Sequence, residues 1–221
     1  MIDLERSWTQ LPAGARAAME QQWAGLAAGG LPCGSAVVDS DGRVISRGRN
    51  HSYDPPGPLE SRLELPLQHN RLAHAEMNAL AVIPTERDHA TLTLWTTQHP
   101  CLMCAAAMQF IGVGNVAFIA DDPSDDSPRE LIVARRGRVS YAQLPDQSWR
   151  TICNLLFLYN SAVQRGEDAR NLKLHRERNP GLVALTIELA RGDKLGREAR
   201  AGVALVEALA AHHSGLANVV E

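Results

Sequence analysis

Two short motifs restrict this chain more than any other feature. They are His74-Ala75-Glu76 and, further on, Pro100-Cys101-Leu102-Met103-Cys104. Each opens a segment that reads as a helix, the first after a loop and the second after a strand. Zinc takes soft thiolates and neutral imidazole, and a catalytic zinc uses three protein ligands with water in the fourth place. If His74, Cys101 and Cys104 share one ion, the fold must bring these two helix starts together. Cys101 and Cys104 stand at i and i+3, so both sulfurs can point to one side. The positive end of their helix favours thiolate. Glu76 follows His74 too closely to chelate the same ion easily, but it can stand beside a bound water and carry its proton. Taken alone, the Cys-x-x-Cys pair also suits a redox site or half of a structural zinc site. A structural site wants four protein ligands, and Cys33, Cys153 and His99 are the candidates for the fourth.

The rest of the chain supplies a setting for these motifs. Ala13 to Ala28 reads as an amphipathic helix ended by Gly29, Gly30 and Pro32. Gly34–Asp39 and Arg43–Gly48, joined through Asp41-Gly42, read as a β-hairpin. Asn50 to Leu72 is a proline-rich connection, in which about Leu59 to Gln68 suits a short helix. His74–Ile83 reads as helix, Thr91–Thr96 as strand, Cys101–Ile111 as helix and Val116–Ala120 as a buried strand. This succession predicts an α/β domain with a mixed sheet. Leu131–Val133 suits a short strand or helix. From Trp149 the pattern turns helical, with further helices over Leu182–Ala190 and Ala199–Ala211. We place a zinc-dependent domain over residues 1–145 and a helical C-terminal extension, packed on it, over 146–221.

Of the 221 residues, 45% are hydrophobic and 21% charged, enough to bury a core, and the formal net charge is -3. That balance argues against nucleic acid and against an anionic membrane. Arg135-Arg136-Gly137-Arg138 and the stretch from Arg170 to Arg178 are the dense basic runs, and such runs are usually solvated faces. No signal-type or membrane-spanning stretch is present in the sequence. The four cysteines are therefore read as those of a protein of the reducing cytoplasm.

The ordered pair His-x-Glu then Pro-Cys-x-x-Cys matches the zinc deaminase signature. The stretch from about Ala13 to Ala120 resembles the cytidine and deoxycytidylate deaminase superfamily, leaning toward the branch with guanine deaminase and tRNA adenosine deaminase. The resemblance rests on Pro32-Cys33-Gly34-Ser35-Ala36-Val37-Val38, Gly48-Arg49-Asn50, His74-Ala75-Glu76-Met77-Asn78-Ala79-Leu80 and the run from Thr96 through Cys101 and Cys104 to Met108. It implies a three-layer α/β/α fold around a five-stranded mixed sheet, and a homodimer. It implies that Asn50 hydrogen-bonds the substrate and that the backbone amide of Ala75 faces the ring. The chain departs from the family at Cys33, where relatives often carry phenylalanine, at Gln98-His99 and in the lead into His74. These changes border the expected pocket, and His99 is a candidate substrate contact.

The expected function is hydrolytic deamination of a small aminated heterocycle: a nucleobase, a nucleoside or a related ring. Zinc-bound hydroxide attacks, Glu76 moves the proton and ammonia leaves. A tRNA-specific adenosine deaminase is the alternative, and it would favour basic residues around the site and at the C-terminus. A catalytically inactive deaminase fold used for binding is the second alternative, and the intact Glu76 argues against it.

Overall fold

The computed structural model describes residues 3–54, 67–123 and 139–212, with 215, 216 and 219. The expected hairpin is present: β1 (Gly34–Val38) and β2 (Val44–Arg49) pair antiparallel. The Asp39 carboxylate fixes its turn, accepting from the backbone N–H of Asp41 and Arg43 at 3.0 and 2.9 Å. β3 (Thr93–Gln98) pairs antiparallel with β1, and β4 (Asn115–Ala120) pairs parallel with β3. β5 (Ser140–Gln143) adds to β4 in parallel. The result is a five-stranded mixed sheet of order β2-β1-β3-β4-β5.

Helices cover both faces. α1 (Leu4–Gln10) and α2 (Ala13–Ala27) precede the sheet in the chain, and α2 packs on β1, β2 and β3. α3 (Ala75–Leu80) packs on β2 and β1, and α4 (Leu102–Ile111) links β3 to β4. Strand alternation separates the two cores. Leu94 is buried with Val37, Leu80, Cys104, Met108 and Val116, whereas its neighbour Trp95 packs against the core formed by α2 and the C-terminal helices. Two glycines permit the close approach of helix to sheet. A Cβ on Gly34 would lie 2.0 Å from the Ala18 carbonyl oxygen, and one on Gly48 would lie 2.3 Å from that of Ala75.

After β5 come α5 (Gln147–Arg165), α6 (Arg170–Arg178), α7 (Pro180–Ala190), α8 (Lys194–Arg200) and α9 (Leu205–Ala211). α5 begins at Asp146, whose carboxylate caps the N–H groups of Ser148 and Trp149. Its residues Ile152, Leu155, Leu156 and Leu158 are fully buried. Each such side chain contributes roughly 1.5–3 kcal/mol of hydrophobic stabilisation. Two buried glutamines, one on α2 and one at the end of β3, tie these elements to α5. The Nε2 groups of Gln22 and Gln98 both donate to the Cys153 carbonyl, at 2.9 and 3.3 Å.

The structure moves several expected boundaries. The helix after His74 ends at Leu80, short of Ile83, because the chain turns ahead of Pro84. His89–Thr91 forms a 3-10 turn, so the strand starts at Thr93 and reaches Gln98. The expected helix over Ala199–Ala211 is two helices, broken where Gly202 takes φ 79°. The basic run from Arg170 to Arg178 is a helix that buries Leu172 and His175. The expectations for Leu131–Val133, for residues 59–66 of the short helix and for the basic run at 135–138 lie outside the described residues. Among the described residues, no helix is long and apolar enough to cross a membrane.

Candidate metal centre

The fold brings together the starts of α3 and α4. His74 is the N-cap of α3 and Cys101 the N-cap of α4. The Nδ1 atom of His74 lies 3.6 Å from the Sγ of Cys101 and 3.6 Å from the Sγ of Cys104. All three candidate ligand atoms lie within 4.8 Å of one another. Around a tetrahedral zinc with ordinary bond lengths, nitrogen and sulfur ligands stand roughly 3.5–3.8 Å apart. The donor set and its spacing therefore fit zinc. Among the described residues, this is the single His/Cys/Asp/Glu group so arranged. It has three members, the number that a catalytic zinc takes from its protein.

Hydrogen bonds to backbone carbonyls hold the centre in place. The N–H of His51 donates to the Ala73 carbonyl at 2.9 Å, and Asn78 Nδ2 donates to the Arg49 carbonyl at 3.0 Å. The end of β2 is thus tied to the segment carrying His74. On the other side, the His99 N–H donates to the Ala120 carbonyl at 2.8 Å, joining the loop before Cys101 to the end of β4.

The electrostatics are those of a proton-sharing cluster. Cys101 is drawn down to about 4 by hydrogen bonds from Cys104 and His74. Cys104 moves the opposite way, because it donates to Cys101 and is buried. His74 is raised, chiefly by its hydrogen bond with Cys101. Two thiolates on a dication would replace this sharing by direct ligation.

Glu76 lies in the first turn of α3 and is 6% exposed. Burial raises its carboxyl above the ordinary range. Thr96 Oγ1 donates to its Oε1 at 3.2 Å, and Cys104 Sγ lies 3.4 Å from its Oε2. A buried carboxylate with raised proton affinity, beside the ligand sulfurs, can take a proton and return it.

The other expected residues fall around this cluster. Asn50 is 2% exposed and follows β2. Its Oδ1 accepts from the Ser52 N–H at 2.9 Å, and its own N–H donates to the Cys33 carbonyl at 3.0 Å. Ala75 is fully buried. The His99 ring packs edge-on against Phe118, with centroids 4.7 Å apart. Cys33 and Cys153 are both free thiols, pushed up by burial. The charges of Glu76, Asp122 and Cys101 also act on Cys33, so it stands near the metal group without joining it. Trp95 belongs to the opposite face of the sheet, packed where Gly14 leaves room for its ring.

Sequence reasoning missed Thr96 and Asp122. Thr96 carried a signal in its position, since β3 alternation puts it on the face of Leu94, toward α3. Asp122 carried none, because its proximity to Cys33 depends on how β4 ends. His212 pairs with Glu198 at 3.2 Å, far from this chemistry in the chain.

Comparison with known proteins agrees with the geometry. The model of the cytidine and deoxycytidylate deaminase zinc-binding region matches residues 10–120. A cytosine deaminase of Candida albicans is 30% identical over 105 residues, 47% of this chain and 61% of that relative. The chain thus aligns with less than two thirds of that protein's length. Two mutants of one protein, each crystallised with 8-azaguanine, are similar in structure. Their identities are 24% and 25%, and both TM-scores are 0.51. The similarity covers 68% of this chain and 85% and 84% of theirs. With the zinc-binding model spanning half of the sequence and the His-Cys-Cys group assembled beside a buried glutamate, the chain belongs to the cytidine and deoxycytidylate deaminase zinc-binding family.

Proposed function

We propose that the protein is a hydrolytic deaminase of a small aminated heterocycle: a nucleobase, a nucleoside or a related ring. The observation that carries this reading is the buried Glu76 carboxylate, 3.4 Å from the Cys104 sulfur in a group spaced for zinc. His74, Cys101 and Cys104 would hold the ion. Zinc supplies a Lewis acid that makes water nucleophilic near neutral pH. Glu76 takes one proton from the attacking water and delivers it to the ring nitrogen, then passes the second, from the new hydroxyl, to the amino group, which leaves as ammonia as the C–N bond breaks. Thr96 holds one carboxylate oxygen, and the other faces the Cys104 sulfur of the metal group. Asn50 and the backbone amide of Ala75 orient the ring, and His99 borders it. The burial of Asn50 and Ala75, and the tie between the end of β2 and the His74 segment, support these roles.

A small substrate fits better than RNA. The net charge is -3, and two cations of the basic helix α6 face acids, Lys173 with Asp168 and Arg176 with Glu167. The 8-azaguanine bound by the structurally similar protein supports a ring of purine size. Two copies of the chain form the working unit, a reading supported by Phe110, which is 92% exposed on α4. Four free cysteines suit the reducing cytoplasm.

The test is ammonia release by the zinc-loaded protein across a panel of aminated bases, nucleosides and nucleotides. Glu76→Gln should keep the metal and abolish release. If the wild type released ammonia from nothing on the panel, the binding-only alternative would replace this reading. Inosine formation in tRNA, with salt-dependent affinity, would replace it with the tRNA-editing one.

A further inference from the structure

A polar cavity lies where β4 ends against the C-terminal helices. Its volume is about 220 Å³. Arg150 and Arg178 lie on its wall, against a single lining carboxylate among the described residues, that of Asp121. Gln147 and Arg150 belong to the first turn of α5, and Asn179 is the N-cap of α7, so two helix N-termini border the space. Both starts are already capped, by the Asp146 carboxylate on the N–H groups of Ser148 and Trp149 and by Asn179 Oδ1 on that of Leu182, so the positive charge facing the cavity comes from the two arginines.

An independent observation comes from His175. It is 3% exposed and lines the cavity, and its Nε2 is buried with no hydrogen-bond partner. The Oδ1 of Asn154, also on the wall, is in the same position. Buried polar atoms are normally satisfied, so these two point to a ligand that accepts from the imidazole N–H and donates a hydroxyl to the Asn154 amide oxygen, as a partly protonated phosphate does. Burial and the charge of Arg178 together draw the His175 imidazole down to about 4, which keeps it neutral. A neutral imidazole can donate to an oxyanion or accept from its hydroxyl. Guanidinium groups match phosphate geometry.

We infer that this cavity binds a phosphate-type oxyanion, held by Arg150 on the first turn of α5 and by Arg178, the last residue of α6, with the His175 imidazole beside them. The anion has two possible sources, a free phosphate or the phosphate of a nucleoside monophosphate. Chain neighbours link the cavity wall to the segments around the metal centre. Asp121 adjoins Asp122, which acts on Cys33 beside Glu76, and Asn154 adjoins Cys153, bonded by Gln98 just before His99. The site does not require deaminase chemistry, so it can be tested separately from the proposed function.

The experiment titrates the zinc-loaded full chain with inorganic phosphate, followed by calorimetry and by the His175 imidazole resonances. Arms with matched nucleosides and nucleoside monophosphates separate the two sources. We expect saturable phosphate binding that shifts His175 and weakens with salt. Arg178→Gln, a change at an exposed side chain, should weaken it about tenfold, the order expected for one charge-assisted hydrogen bond. Monophosphates binding more tightly than their nucleosides, with that gain lost in Arg178→Gln, would assign the cavity to the substrate. Phosphate binding with no such gain would assign it to a free anion. No phosphate binding at millimolar concentration, or binding unchanged in Arg178→Gln, would overturn the inference.

Discussion

Thr96 donates its hydroxyl to Oε1 of Glu76 across 3.2 Å, joining the middle of β3 to the first turn of α3. The bond fixes the carboxylate of the proposed proton carrier with its other oxygen toward the ligand sulfurs. Hydrogen bonds to charged groups are worth about 1.5–3 kcal/mol. Thr96→Val should therefore lower kcat by roughly tenfold or more while zinc content stays at the wild-type level. Thr96→Ser should restore most of the loss. A steady-state comparison with metal analysis checks this, and an unchanged kcat in Thr96→Val would remove Thr96 from the mechanism.

Metal removal should cost stability as well as activity. Cys104 is fully buried and Cys101 half-buried, and in the absence of an ion they share a proton between them. Ligation by an ion that the unfolded chain binds poorly stabilises the fold by mass action. Chelation should release one zinc per chain and lower Tm by several degrees, and Cys101→Ser should abolish tight binding. Atomic absorption with thermal melts measures both. A Tm indifferent to chelation would show that the ion is not held by these three side chains.

The metal group was legible in the sequence because its information is local. Ligand type, i and i+3 spacing and position at a helix start are all readable over a few residues. The hairpin was legible for the same reason, through alternation and the Asp41-Gly42 turn. β5 was not: Ser140–Gln143 is a four-residue strand with no apolar run, held by its parallel pairing to β4. α6 reads as a solvated basic stretch because only Leu172 and His175 turn inward. Glu76, its partner Thr96, and Cys33 with the Asp122 that acts on it come from four different segments. No single window of sequence contains that arrangement.

His175 makes the fold sensitive to acid. Its side chain is buried and its pKa is drawn down from 6.5 to about 4 by burial first and then by Arg178. The folded state therefore holds the neutral imidazole where the unfolded chain binds a proton. The contribution is complete above pH 6.5 and is lost as pH falls toward 4. A shift of this size corresponds to about 3 kcal/mol. In phosphate-free buffer, urea unfolding at pH 7.5 and pH 4.5 should show the wild type losing about that much more than His175→Gln. Equal losses in the two proteins would rule out His175 as the source.

Gly48 sets how closely α3 lies on the sheet, and so where Glu76 stands. A Cβ there would lie 2.3 Å from the Ala75 carbonyl oxygen and 2.4 Å from the Ala79 N, both backbone atoms that cannot swing aside. Gly48→Ala must push the helix outward. Overpacking of this kind costs about 1–3 kcal/mol. The cost to activity should be larger than the cost to stability, because the displaced segment carries Ala75 and Glu76 and begins at the ligand His74. At a temperature where the variant remains folded, kcat/KM should fall by about a hundredfold, the scale expected when a catalytic group is misplaced by about an ångström. The same substitution logic applies to Gly34, where a Cβ would lie 2.0 Å from the Ala18 carbonyl oxygen on α2. That contact is on the other face of the sheet, away from Glu76. Gly34→Ala should therefore destabilise the protein with a smaller loss of kcat/KM in the fraction that stays folded. If the two variants lost activity in equal proportion to stability, the seating of α3 on Gly48 would not be what places Glu76.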